Sequence, residues 1–437
     1  MITGLSYGFH DAAIAVIDGI EIIEAHHSER FSRVKNDKHL WEGFRVQGKT
    51  AYYERPLLKN TRRLYAGQSW HKMPKHDHYI DHHWSHAAAS YYTRPFKEEP
   101  VCVVIDAIGE WDTCSIWFNK KKVWSRKYPY SLGLFYTAIT HAIGLKPMED
   151  EYITMGMAAY GEPIYDLSYL LQENLHKGLK HPLIGKREDI AASAQQVIEQ
   201  KIIEIMKIAR QYSSHLCYGG GVALNCVANS KIRSTFDNMW IFPSPGDSGS
   251  SLGAAAAVNG KMLNWQGPYL GYNIDNPINP KEVAKHLVNH HVCGVANGKA
   301  EFGPRALGNR SLLADCRLPI NDTVNMIKKR QKFRPFAPAI LAEYADQYFE
   351  GPMNEYMQFV AKAKHDYRSV TNVDGTSRVQ LVQPNCKSAL RSILEEWYEL
   401  TGCPMLLNTS LNIKGQPLVN DWEDAKLFES MNGVRVF

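Results

Sequence analysis

The chain has 437 residues, 44% hydrophobic and 22% charged, enough apolar side chain for two or three domains of about 100–200 residues and too much for a disordered polymer. Its 50 lysines and arginines against 45 acids give a formal net charge of +5, which permits an anionic partner but is not the dense basic stripe of a dedicated nucleic-acid module. No run approaches about 18 consecutive apolar residues, which excludes a membrane-spanning helix, and residues 1–8 carry neither a basic n-region nor a cleavage site, so no secretory leader is expected.

Residues 2–7 form an apolar run, with residues 8–11 as its turn. Apolar residues continue from 13 to 17, and Asp18-Gly19 then separates them from a second strand-like run at 20–25, a strong hairpin signal. The pattern returns about a hundred residues later. Residues 101–105 read as a buried strand, 106–112 as a polar turn, 113–118 and 123–127 as two further strands. Two strand–turn–strand–turn–strand units, each with an acid and a glycine in the first turn, predict an internally duplicated domain. That beginning resembles each half of the actin, heat-shock-chaperone and sugar-kinase class, in which the first turn faces a nucleotide or metal.

Apolar residues three and four apart predict a helix over 191–209. A short strand (215–218), Gly219-Gly220-Gly221, a helix-like stretch (222–232), a strand (239–242), a Pro-Gly-rich turn (243–249) and a small-residue helix (250–259) follow. Residues 267–280, rich in Gly, Asn and Pro, read as an interdomain linker. Strand-like runs at 292–296, 310–314, 339–341, 357–361 and 404–407 then predict a separate α/β unit. The expected domains are 1–275 and 285–437. The eight cysteines are scattered without a CxxC pair, which predicts reduced, mostly buried thiols in a cytoplasmic protein.

Three constellations carry chemistry. In His82-His83-Trp84-Ser85-His86, helical spacing puts His82 and His86 on one face, able to converge on one ion; HxxxH also fits solvated or core histidines. Asp106 after a buried strand and Asp247 in Pro-Gly-Asp-Ser-Gly strengthen the metal reading, because a lone buried carboxylate is costly. Two histidines with two aspartates suit Fe²⁺ or Zn²⁺ more than Mg²⁺. The triple glycine lets backbone approach a phosphate or ribose at a helix start, or makes a tight turn; Gly246-Asp247-Ser248-Gly249, one strand later, favours a nucleotide.

The third constellation is Glu301-Phe302-Gly303-Pro304-Arg305-Ala306-Leu307-Gly308-Asn309-Arg310-Ser311, with Lys328, Arg330, Arg334 and Arg378 beyond it. Guanidinium forks interleaved with Gly, Pro and Phe suit a small phosphorylated dianion. A basic surface for an acidic protein is the blander reading. Asn408-Thr409-Ser410-Leu411-Asn412 adds short donors after an apolar strand.

These strings resemble the O-carbamoyltransferase family that includes the nodulation-factor, cephamycin and tobramycin carbamoyltransferases. Further strings support it: Gly8-Phe9-His10-Asp11-Ala12-Ala13, Met155-Gly156-Met157-Ala158, Gly220 to Asn225, Phe333 to Pro338 and Asp374 to Gln380. The resemblance spans nearly the whole chain and implies an α/β protein: a duplicated actin-like (TsaD-like) domain, then a smaller YrdC-like domain. It implies that the second domain joins carbamoyl phosphate and ATP into carbamoyl adenylate, and that the first passes the carbamoyl group to an acceptor hydroxyl. Arg305, Lys328, Arg330 and Arg378 would then neutralise phosphates. Gly220, Gly221 and Asn225 would cradle adenosine, with Gly249, Arg310, Arg334, Asn408, Thr409 and Ser410 as further nucleotide contacts. A metal on His82, His86, Asp106 and Asp247 would act as Lewis acid, with Mg²⁺ accompanying ATP.

His10, in the first turn, is the candidate general base or else stabilises that turn. Leu411, Gln331 and Gln416 depart from the family pattern, and the loops around the acceptor cleft look trimmed, notably after Pro163. The runs Arg62-Arg63-Leu64-Tyr65, Trp70-His71-Lys72 and Lys120-Lys121-Lys122, with the net charge, favour an anionic acceptor. The favoured one is hydroxymethylpyrimidine in DNA, as in compact virus-type members. The alternatives are a sugar, antibiotic or nodulation-factor hydroxyl, a tRNA threonylcarbamoyl-type transfer, or an actin-like ATPase. A homodimer and no membrane partner are also expected.

Overall fold

The computed structural model describes residues 1–437. It comprises two compact units, Met1–Ser28 with Lys38–Trp265, and Glu29–Asp37 with Gln266–Phe437. In the first unit, β1 (Ile2–Ser6) pairs antiparallel with β2 (Ala13–Asp18), and β2 with β3 (Glu21–His27). On its other edge β1 runs parallel to β4 (Lys49–Tyr52), and β4 parallel to β5 (His78–Tyr79). The second sheet repeats this with β6 (Val101–Gly109), β7 (Asp112–Phe118), β8 (Lys121–Lys127), β9 (His215–Gly219) and β10 (Asn238–Ile241). The strand orders are β3-β2-β1-β4-β5 and β8-β7-β6-β9-β10, with the same senses of pairing. This is the internal duplication that the repeated hairpins predict.

Two sequence-based readings need correction here. Strand β6 does not end at residue 105: it runs through Asp106 to Gly109 with a register shift, and Glu110 makes the turn at φ 58°. The turn read over 243–249 also contains the start of the next helix, Asp247–Asn259.

That helix is built of Gly, Ala and Ser because it packs against both β1 and the helix His82–Thr93. A Cβ on Gly253 would lie 1.7 Å from the Ser85 carbonyl oxygen, and one on Gly4 1.8 Å from that of Ser251. Neither neighbour is a side chain that can swing away. Gly253→Ala is therefore expected to force the helices apart and to cost about 3 kcal/mol, measured as a lower urea midpoint at unchanged slope.

The second unit centres on a five-stranded sheet ordered Val292–Ala296, Arg310–Ala314, Met405–Ser410, Ala337–Leu341, Gln380–Val382, antiparallel except for the last pair. Alternate residues serve opposite faces. Leu313, Ala339 and Leu406 pack with Leu287 of helix Pro280–His290 and Trp397 of helix Leu390–Thr401. Leu312, Ile340 and Leu407 pack with Val324 and Phe428 on the other side. The stretch read as a linker over 267–280 contains a strand, Tyr269–Ile274, paired with Gly298–Glu301. The run at 357–361 yields only the short strand Ala361–Ala363. Glu29–Asp37 joins this unit through Arg33, which donates to the Leu418 carbonyl at 2.7 Å and pairs with Asp424 at 2.9 Å.

All eight cysteines are free and seven are buried. No helix is long and apolar enough to cross a membrane.

Candidate functional site

In the first unit, Asp81 caps the helix His82–Thr93 by accepting the Trp84 N–H at 3.1 Å. Buried Glu110 accepts the His82 N–H at 3.3 Å and pairs with Arg55 at 2.5 Å. With its start fixed there, the helix presents His82 and His86 one turn apart, their Nε2 atoms 3.1 Å from each other. Asp106 Oδ2 lies 3.2 Å from His82 Nε2 and 3.5 Å from His86 Nε2; Asp247 Oδ1 lies 3.6 and 3.3 Å from the same atoms. The four ligand atoms fall within 4.8 Å of one another. His82, His86 and Asp247 are buried.

The surrounding contacts prepare these atoms for a cation. His86 Nδ1 is 2.9 Å from the Pro245 carbonyl, which can only accept, so Nδ1 carries a proton and Nε2 is the nitrogen left to meet a cation. The Gly221 N–H donates to Asp106 Oδ1 at 3.2 Å, leaving Oδ2 for the cluster. His82 Nδ1 is buried without a hydrogen-bond partner and faces Glu54 Oε2 at 3.9 Å. Burial works against charge on His86, yet Asp106 and Asp247 raise its pKa to about 10. Burial works the other way on Asp106, and its bonds to both histidines hold it well below the carboxylate range. The two carboxylates favour positive charge at the cluster, and two imidazole nitrogens with two carboxylate oxygens form a donor set that could hold a metal ion.

His83, between the two ligands in sequence, points elsewhere: Nδ1 meets Ser115 Oγ at 2.7 Å, and burial lowers its pKa to about 3. It is a core histidine. His10 lies on the loop after β1, with Nδ1 3.0 Å from Asp11 Oδ2 and Nε2 3.8 Å from Asp247 Oδ2. Burial would lower its pKa, but Asp247 and Asp11 raise it to about 9.

The glycine loop also positions Asp106. Gly220 has φ 88°, and a Cβ there would lie 2.2 Å from the Ile105 carbonyl oxygen. Together with the Gly221 N–H, this makes the loop a seat for Asp106. Asn225 was expected to meet adenosine, but its Oδ1 caps the next helix at the Ala228 N–H (3.0 Å) and its amide bonds Gln195 at 3.0 Å. Its side chain is committed inside the fold. Gly249 admits the Ser244 carbonyl, which a Cβ would meet at 1.7 Å. Arg62 is buried, donating to the Glu110 carbonyl at 3.1 Å, so it is not an exposed phosphate contact. Lys122 pairs with Asp81 and Asp112, and Lys120 lies over the Tyr91 and Tyr92 rings.

In the second unit a carboxylate organises the arginine motif. Glu301 Oε1 accepts the backbone N–H groups of Leu307, Asn309 and Arg310 at 2.7, 2.8 and 3.3 Å, folding the loop that carries half-buried Arg305. Arg30 donates to the Gly303 carbonyl at 2.9 Å in the field of Glu301. Sequence reasoning missed both roles: Glu301 was visible inside the motif, whereas nothing in residues 29–37 marked Arg30.

Arg310 requires a correction. It is fully buried and donates to the carbonyls of Asn420, Asn297, Gly298, Asn309 and Tyr272, so it braces the backbone and has no fork left for phosphate. The donors of Asn408 are committed as well, to the Ala306 carbonyl at 3.1 Å and Gln380 Oε1 at 2.6 Å, while its Oδ1 is unpartnered. Those bonds tie the Arg305 loop and the strand after Arg378 to the strand carrying Asn408, Thr409 and Ser410.

At that strand's end, Lys328 Nζ donates to the Ser410 carbonyl, to Ser410 Oγ at 3.1 Å and to Asn412 Oδ1 at 3.0 Å. Burial, then Arg330 and Arg334, hold Lys328 well below the usual lysine range. Arg330 lies over the Phe336 ring at 3.9 Å and bonds Asn325 at 2.6 Å, and Arg378 Nε is buried without a partner. The Lys328 ammonium is thus spent on Ser410 and Asn412, and it is Arg330 and Arg334 that bring positive charge to this strand end, which suits an anionic ligand.

The carbamoyltransferase N-terminus profile matches residues 45–183 and 171–256, and the carbamoyltransferase C-terminus profile matches 284–436. The chain belongs to the carbamoyltransferase family. It is 30% identical to an uncharacterized protein (sll1178) of Synechocystis over 97% of this chain and 93% of that one. It is 31% identical to nodulation protein NolO of Bradyrhizobium diazoefficiens over 79% and 75%. Among solved structures, component A of (R)-2-hydroxyglutaryl-CoA dehydratase from Acidaminococcus fermentans aligns at TM-score 0.38 and 13% identity, over 59% of this chain and 96% of that one.

Proposed function

We propose that this carbamoyltransferase activates carbamoyl phosphate with ATP and transfers the carbamoyl group to the hydroxyl of a hydroxymethylpyrimidine, 5-hydroxymethylcytosine, in DNA. The observation that carries the transfer step is the convergence of His82, His86, Asp106 and Asp247 within 4.8 Å. When bound there, Fe²⁺ or Zn²⁺ supplies Lewis-acid stabilisation of a developing oxyanion. In the second, YrdC-like unit, Arg305, Lys328, Arg330, Arg334 and Arg378 neutralise phosphate charge, with Thr409 and Ser410 beside them and Mg²⁺ entering with ATP.

Atom balance defines the activation. Water releases inorganic phosphate from carbamoyl phosphate; an oxygen of the resulting carbamate bonds to the α-phosphorus of ATP, and pyrophosphate leaves. In the transfer, the acceptor oxygen bonds to the carbamoyl carbon, the anhydride C–O bond breaks and AMP departs. His10 takes the hydroxyl proton. His10 Nε2 lies 3.8 Å from Asp247 Oδ2, and a cation held by that carboxylate would weaken the pull of Asp247 on the imidazole proton.

Incubation with ATP, carbamoyl phosphate and DNA containing 5-hydroxymethylcytosine is expected to give AMP, pyrophosphate and a base heavier by a carbamoyl group in place of hydrogen. ADP without pyrophosphate would mark an actin-like ATPase. Carbamoylation of a sugar hydroxyl but not of DNA would reassign the acceptor.

A further inference from the structure

The first unit contains a cavity of about 600 Å³ that the chemistry above does not use. Its lining includes Tyr7, Tyr52, Glu54, Lys59, Lys72 and Lys75. Two of its lining residues, Glu54 and Gly8, adjoin His82 and the loop of His10. Glu54 Oε2 is 3.9 Å from the unpartnered Nδ1 of His82. Gly8, also in the lining, is two residues before His10 on the same loop.

The cavity is built and positively charged. The rings of Tyr52 and His76 stack at 5.1 Å, and the Tyr7 hydroxyl bonds His76 at 2.8 Å. Asn60 pins the far wall by exchanging two hydrogen bonds with the backbone of His71, at 2.8 and 2.9 Å. Glu54 is neutralised by Lys59 at 2.5 Å. Asp77, the nearby acid, binds the Thr50 N–H and hydroxyl at 2.7 and 2.9 Å. Lys72 and Lys75 are exposed and balanced by neither carboxylate. His71 is held below its ordinary pKa by burial, then by Arg63 and Lys59.

We infer that this cavity is the acceptor site, and that it selects an acceptor carrying a phosphate beside its hydroxyl-bearing ring. Lys72 and Lys75 meet the phosphate, and the ring rests on the wall to which half-buried Tyr7 belongs. The inference rests on the transfer reading above and adds the residues that choose the acceptor.

Binding without turnover separates the two. 5-Hydroxymethyl-dCMP is expected to bind at least about tenfold more tightly than the matching nucleoside, the advantage of charge-assisted bonds to phosphate. The Lys72→Glu/Lys75→Glu protein should lose that preference and Lys72→Arg/Lys75→Arg should keep it, with thermal midpoints showing that both fold. Equal binding of nucleotide and nucleoside, or an unaltered glutamate variant, overturns the inference. So does AMP binding more tightly than the hydroxymethyl nucleotide in a manner that requires the same lysines, which would give the cavity to the leaving nucleotide. Failure of the transfer reading is seen separately, as absence of AMP and of any carbamoylated product from the wild-type protein.

Discussion

Asp106→Asn is expected to lower affinity for iron or zinc by at least about 100-fold and to reduce carbamoyl transfer in proportion, while carbamoyl-phosphate-dependent pyrophosphate release continues. Asp106 Oδ2 lies within 3.5 Å of both Nε2 atoms, and Oδ1 is tied to the Gly221 N–H. An asparagine cannot serve both sides. With its oxygen toward Gly221, its NH₂ faces two imidazole nitrogens; flipped, it sets NH₂ against the Gly221 N–H. Either way the cluster loses one of the two negative charges that favour a divalent ion. Metal per purified chain, measured by elemental mass spectrometry, is the direct readout. Undiminished metal content would remove Asp106 from the ligand set. Loss of pyrophosphate release together with transfer would show that the two half-reactions do not divide as proposed.

How much of this was legible in the sequence depended on the range of the interactions. The hairpin at Asp18-Gly19 and its repeat at residues 101–127 are local patterns, and they led to the duplicated sheets. His82 and His86 were legible because helical spacing is a local rule, and Asp106 and Asp247 because isolated acids beside glycines at buried strands are costly as mere structure. Residue type did not reveal which polar groups the fold itself consumes. Arg310 reads as a phosphate fork, yet five backbone carbonyls surround it. Asn225 reads as a ligand for adenosine, yet it caps the helix that follows. Residues 29–37, belonging to the second unit, left no trace, because their partners lie hundreds of positions away.

Glu301→Ala is expected to reduce pyrophosphate release from ATP and carbamoyl phosphate by at least about 100-fold while leaving the metal content of the first unit unchanged. One carboxylate oxygen holds three backbone N–H groups of the Arg305 loop, at 2.7 to 3.3 Å. Alanine leaves these donors without an acceptor at about 1–3 kcal/mol each, and also leaves the buried Arg30 cation with Glu29 alone in place of Glu301 and Glu29. The loop must open to hydrate them, and Arg305 loses its fixed position. Glu301→Gln guards against simple unfolding: its amide oxygen can still accept, though without charge, so a loss of about tenfold is expected. The order Glu above Gln above Ala in rate, at equal metal content, is the signature of a carboxylate that positions a phosphate-binding loop. If alanine retained half the wild-type rate, the arginine motif would have to hold its shape by other contacts, and its role in activation would need another explanation.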